Sequence, residues 1–124
     1  GQIPNRKGFF YEPTVLINVK KGMPAFDHEI FGPVMSVISA KDDNDAIRIA
    51  NDHAYGLGAA VWCRDEKRAF KVARAIEAGI VAINGIARSD PRFPFGGTKR
   101  SGFGRELGAY GIREFVNIKT ILAK

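Results

Sequence analysis

The sequence predicts an α/β fold, a parallel β-α-β-α-β core followed by a further strand at the chain end. Three observations carry this. Gly58–Cys63 (GAAVWC) and Ile80–Asn84 (IVAIN) are almost continuously apolar, as strands buried on both faces are. Each follows a segment whose apolar residues recur at helical spacing. The connections are short, and strand-helix-strand units of this kind build parallel sheets with right-handed crossovers.

The elements follow in order. Thr14–Val19 reads as a strand, with Pro13 confined to its start. Residues Met23 to Pro33 read as a loop with two prolines and an apolar patch. Val34–Ala40 (VMSVISA) is rich in β-branched residues and reads as the first core strand. Asp42 and Asp43 are N-cap candidates for a helix carrying Ala46, Ile47, Ala50 and Ala54, which Gly56 and Gly58 should end. Asp65 caps a second helix with an apolar stripe of Ala69, Val72, Ala73 and Ile76, Phe70 beside it, and a stop at Gly79. Residues 87–102 form a long loop, and loops of about 15 residues are often functional. Arg105–Phe115 predicts a short helix weakened by Gly108 and Gly111. Asn117–Leu122 (NIKTIL) alternates polar and apolar residues, as a half-buried strand does.

With 124 residues the chain suits one domain with one core. No apolar run approaches the roughly 18 residues a membrane span needs. The single cysteine, Cys63, cannot form an intrachain disulfide, which makes the cytoplasm the default setting. Closing a buried strand with no base patterned beside it, Cys63 reads as inert. His28 and His53 show no ligand spacing, so no metal is expected. The net charge of +6 is compatible with nucleic acid or phosphate partners, or with a solvated surface. Arg64, Lys67, Arg68, Lys71 and Arg74 form a basic helix face opposite the apolar stripe, which reads as solvated.

Gly102, Gly104 and Gly108 spell G-x-G-x-x-x-G, one residue longer than a dinucleotide fingerprint. That fingerprint needs a strand directly before it and an acidic residue about 20 positions later. Residues 94–101 do not read as a strand, and 20 positions on the chain is finished. These glycines are therefore expected to serve backbone geometry.

Three stretches point further. They are Tyr11-x-Pro13-Thr14-Val15-Leu16, Glu29-Ile30-Phe31-Gly32-Pro33-Val34, and Pro94-Phe95-Gly96-Gly97-x-Lys99-x-Ser101-Gly102-x-Gly104-Arg105-Glu106-x-Gly108. In this order and spacing the chain resembles the carboxy-terminal part of the NAD(P)-dependent aldehyde dehydrogenase superfamily. Asp90-Pro91-Arg92 and Arg113–Thr120 bring it nearest the bacterial succinate-semialdehyde dehydrogenase branch. The resemblance implies that residues 1–116 are the last portion of a catalytic domain and 117–124 an oligomerisation strand joining a sheet across subunits. It implies that the nucleophilic cysteine, the general-base glutamate, the oxyanion asparagine and the dinucleotide domain all lie upstream. Gly1 is then the start of a fragment that is inactive alone and binds no cofactor by itself. In the family a cysteine thiolate attacks the aldehyde, hydride passes to the nicotinamide, and a glutamate-activated water hydrolyses the thioester.

The resemblance assigns roles residue by residue. Glu29 would accept hydrogen bonds from the nicotinamide ribose hydroxyls, a task suited to an acceptor-only carboxylate. Phe31 would pack near the nicotinamide, and Phe95 would line the substrate funnel; bulk alone would place both in a core. Ser89 would help hold the distal carboxylate of a semialdehyde. Arg88 and Arg92 flank it and could add a bidentate contact, although arginines at this loop are not a family-wide feature. The alternative for all three is an ordinary solvated loop. The expected enzyme oxidises succinate semialdehyde with NAD or NADP and is a homo-oligomer without nucleic-acid or membrane partners. The rival readings are a small basic nucleic-acid-binding module, which lacks a recognition motif, and a non-catalytic interaction domain derived from the family.

Overall fold

A computed structural model describes residues 1–124. The chain divides into two compact units, Gly1–Ala46 and Ile47–Lys124, in place of the single core expected from its length.

In the first unit, β1 (Thr14–Leu16) and β2 (Val34–Ser36) pair in parallel, Thr14 opposite Val34 and Leu16 opposite Ser36. Both strands are shorter than the apolar runs predict. The connection contains a helix where a loop was expected: α1 (Pro24–Asp27) has Pro at its start, where the missing N–H costs nothing. The apolar patch of this segment has its place here, since Phe26 is buried and the Ser36 hydroxyl donates to the Ala25 carbonyl (2.9 Å). Val19 is the other buried apolar residue of this unit.

The unit boundary falls within α2 (Asp43–Asn51). Asp42 is its cap, accepting the Asp45 N–H at 2.9 Å. The helix stops at Asn51, before the glycines expected to end it. Gly56 lies instead in a two-residue strand, β3 (Tyr55–Gly56).

The second unit contains the strand-helix-strand repeat as predicted. β4 (Gly58–Val61) and β5 (Ile80–Ile83) pair in parallel, Gly58 opposite Ile80 and Val61 opposite Ile83. Between them runs α3 (Glu66–Ala75), capped by Asp65, whose carboxylate accepts the Arg68 N–H (3.1 Å). α3 packs on both strands through Ala69, which is 0% exposed, with Val72, Ala73 and Ile76 half-buried. Its basic residues 64, 67, 68, 71 and 74 are exposed, as a solvated face requires. β4 is not buried on both faces, since Gly58 and Ala60 are exposed, whereas β5 is half-buried along its whole length.

The predicted single parallel sheet is therefore three two-stranded sheets, β1-β2, β4-β5 and an antiparallel pair of β3 with β6 (Thr98–Lys99). β6 lies inside the stretch read as a long loop. The last helix, α4 (Gly108–Arg113), is shorter than predicted. Residues 117–124 form no strand and are exposed throughout. A strand exists only through a hydrogen-bonded neighbour, and the chain offers 117–122 none.

Candidate functional site

The site is built along β4, from Leu57 ahead of its start to Trp62 beyond its end, with Ile80 at the start of β5. Asn84 leaves β5 at φ 51°, a left-handed backbone that asparagine tolerates better than most residues. Its side chain completes the strand pair. The Asn84 Oδ1 accepts the Cys63 N–H (2.8 Å) and the Nδ2 donates to the Cys63 carbonyl (2.9 Å). Cys63 is half-buried, more open than a fully buried core thiol. The chain then turns back along β4 as Gly85–Ser89 and, with Phe95, encloses a groove of about 490 Å³. Leu57, Trp62 and Ile86 are its large apolar walls; Arg88 and Ser89 are polar groups on its lining. A smaller cavity of about 260 Å³ adjoins it, sharing Ile80, Arg88 and Phe95 and adding Asp90.

Phe95 is held by backbone. It exchanges both main-chain hydrogen bonds with Glu106, at 2.7 and 2.8 Å, an antiparallel bridge. From there the chain clamps two helix ends. Lys99 sits at φ 55°, and its ammonium donates to the carbonyl of Asn51 at the C-terminus of α2 (2.7 Å) and pairs with Glu77 (2.8 Å). Thr98 Oγ1 donates to the Glu77 carbonyl (3.1 Å), and the Ser101 hydroxyl accepts the Gly56 N–H (2.9 Å). Arg105 donates to the carbonyls of Gly97 and Gly104. The glycine-rich stretch is thus a brace that fixes Phe95 against the groove. β6 does precede its glycines, contrary to the sequence reading. It is two residues long and antiparallel to β3, whereas a dinucleotide loop joins a parallel strand to a helix.

Of the predicted substrate residues, Ser89, Arg88 and Phe95 come together at the groove. Arg92 does not line it. Its guanidinium makes a two-pronged contact with Asp90, Nε to Oδ1 at 2.9 Å and Nη2 to Oδ2 at 2.6 Å. The Asp90 Oδ1 also accepts the Arg92 main-chain N–H (3.0 Å). These bonds hold the Asp90 carboxyl below its ordinary pKa and raise that of Arg92. Asp90, Trp62 and Ile86 were missed in the sequence reading. A D-P-R triplet is a signal for the first, since proline at the second position presets a turn that brings the flanking side chains together.

Glu29 and Phe31 lie in the first unit. The Val34 N–H donates to the Gly32 carbonyl across Pro33 (2.7 Å), and the Thr14 N–H donates to the Pro33 carbonyl (2.9 Å), anchoring the turn to β1. Ahead of it Phe31 stands at φ 56° and 91% exposed, and Glu29 is exposed with its carboxylate committed to no neighbour. An exposed carboxylate is an acceptor-only group that can take two donors at once.

A sequence model of the Aldehyde dehydrogenase family matches residues 1–121. The chain belongs to the aldehyde dehydrogenase family. It is 50% identical over 121 residues to an aldehyde dehydrogenase of Paenarthrobacter nicotinovorans, covering 98% of this chain and 26% of that protein. It is equally identical, over 98% of its length, to a probable NADP(+) succinate-semialdehyde dehydrogenase of Synechocystis, of which it covers 27%. Among solved aldehyde dehydrogenases, that of Mycobacterium tuberculosis complexed with NAD+ superposes with a TM-score of 0.82 at 45% identity, over 87% of this chain and 22% of that one. Gox0499, whose structure concerns cofactor and substrate selection, superposes with a TM-score of 0.91 at 50% identity over 99% of this chain and 27% of that one. The chain spans about a quarter of the length of the curated aldehyde dehydrogenases it matches.

Proposed function

We propose that the chain is the carboxy-terminal part of an NAD(P)-dependent aldehyde dehydrogenase that oxidises succinate semialdehyde to the dicarboxylate. The observation that carries the substrate is the groove beside β4. Its walls are apolar, as an aldehyde's methylene chain requires. Its polar side chains are a cation, Arg88, and a hydroxyl, Ser89, which suit a distal carboxylate. Phe95, fixed by its bridge to Glu106, excludes water and limits how the chain of the substrate lies. The thiol that attacks the aldehyde, and the base that activates water, belong to residues outside this chain; Cys63, at the end of β4 and bonded into the strand pair, has no part in the reaction.

When bound, the nicotinamide cofactor takes up hydride from the substrate carbon. Glu29 orients it through the ribose hydroxyls, and Phe31 packs beside it. Residues 1–116 complete the catalytic domain. Residues 117–124 supply a strand to a sheet formed with another subunit of a homo-oligomer, which accounts for an alternating segment that is left unpaired here. The single unpaired cysteine is in keeping with a cytoplasmic enzyme. The reading includes no nucleic-acid or membrane partner.

The test is Ser89→Ala in the intact enzyme. Losing a hydrogen bond to a charged group costs about 1.5–3 kcal/mol. KM for succinate semialdehyde should rise accordingly, while KM for an uncharged aldehyde of similar length stays close to wild type. Equal losses for both substrates would remove Ser89 from the carboxylate site.

A further inference from the structure

The segment between Ala87 and Phe95 carries two arginines four residues apart, and the structure treats them differently. Arg88 lines both the main groove and its smaller neighbour, and no hydrogen bond or ion pair within the chain engages its guanidinium. Arg92 lines neither. Both prongs of its guanidinium are taken by Asp90, and its main-chain N–H is taken by the same carboxylate. The Asp90 carbonyl accepts the Phe93 N–H (3.0 Å), closing a turn over Pro91. The Pro91 carbonyl in turn accepts the N–H of Gly108 at the start of α4 (3.1 Å). The carboxylate and the main chain of Asp90 together close this turn, with Ser89 entering it and Phe95 shortly after it.

We infer that Asp90 is a positioning residue for substrate recognition. It neutralises Arg92 and fixes the turn, so that Arg88 is the cation presented to the groove and Ser89 is held beside it. The physical reason is geometric. The Arg88 charge also favours the ionised Asp90 carboxyl but makes no hydrogen bond to it, whereas the guanidinium of Arg92, so engaged, cannot also grip a substrate carboxylate with its fork. The inference rests on the reading that this groove takes a carboxylated aldehyde.

The experiment uses the intact enzyme and two four-carbon aldehydes, succinate semialdehyde and butyraldehyde. Arg88→Gln should raise KM for the charged substrate by about tenfold or more, the size of a lost charged hydrogen bond, and leave butyraldehyde within about twofold. Asp90→Ala should raise KM for succinate semialdehyde several-fold with kcat little changed. Asp90→Asn, which keeps an acceptor for the Arg92 main-chain N–H, should recover part of that loss. A larger selective loss for Arg92→Gln than for Arg88→Gln would overturn the assignment of the cation. An Asp90→Ala effect equal for both aldehydes would overturn the positioning role. If Ser89→Ala, Arg88→Gln and Asp90→Ala all leave both KM values unchanged, the substrate reading of the groove itself fails.

Discussion

Asp90 and Arg92 are two residues apart, so their pairing is settled by the turn between them, and its pH response is local. The folded-state carboxyl lies below its ordinary value of 3.8 because Arg92 donates side-chain and main-chain hydrogen bonds to the charged form. A depressed pKa gives a contribution that is complete above the ordinary value and lost as pH falls through the lower, folded one. A carbon-detected NMR titration of the Asp90 carboxyl should therefore show a midpoint below that of an unstructured aspartate. Arg92→Ala should bring it back up. Gly79 is a second position where one atom decides. A Cβ there would collide with the Gly96 carbonyl oxygen, which approaches because the brace passes across the start of β5. Gly79→Ala should destabilise the fold by about 1–3 kcal/mol, the range for overpacking, visible as a lower urea midpoint with an unchanged slope.

Among the elements, the C-terminal ends of α2 and α3 are joined by Asn51. Its Nδ2 donates to the Ala75 carbonyl and its Oδ1 accepts the Glu77 N–H, both at 2.8 Å. Last-turn carbonyls have no partner within their helix, so a side chain that satisfies one while capping the next segment ties two helices together. Asn51→Ala should cost about 1–3 kcal/mol for the groups left unpaired, measured by urea unfolding. Asn51→Asp, which sets a carboxylate oxygen against the Ala75 carbonyl at a helix C-terminus, should cost at least as much. The Lys99 contact with the same residue's carbonyl explains why the glycine-rich stretch needs a lysine in a left-handed backbone. Asn51 and Lys99 lie 48 positions apart, and no local pattern in the sequence pairs them.

For the molecule as a whole, the proportion of covered apolar surface is low. Val19, Phe26 and Ala69 are its buried apolar residues, whereas Phe31, Phe103, Phe115, Ile118, Ile121 and Leu122 are largely exposed. Four of these, Phe115, Ile118, Ile121 and Leu122, follow one another near the chain end, and exposed apolar residues grouped in this way mark an interaction surface. The isolated chain should reduce no NAD(P) in the presence of succinate semialdehyde, followed by absorbance of the reduced cofactor, and Cys63→Ala should leave that null result unchanged. It should also self-associate in sedimentation velocity, and deletion of residues 117–124 should abolish that association. A monomer before and after the deletion would remove the oligomerisation role of this segment.

The strand-helix-strand repeat of the second unit was legible in the sequence, as were the Asp65 and Asp42 caps and the stripe on α3, because each depends on residues within a few positions of one another. So were the motifs that place the chain in its family, and Ser89, Arg88 and Phe95, close together in sequence, line one groove. What the sequence could not settle was which apolar run pairs with which. β2 takes β1 as its partner, and the stretch after β5 folds back to pair with β3 and to brace helix ends far away in sequence. Nor could it separate Arg88 from Arg92, which both flank Ser89 within one segment. The turn at Pro91 decides that one meets a carboxylate and the other a groove. The predicted strand at 117–122 marks the remaining difference. Alternation along a segment records which faces it would present, but a strand forms only where a second strand supplies the hydrogen bonds, and within this chain none does.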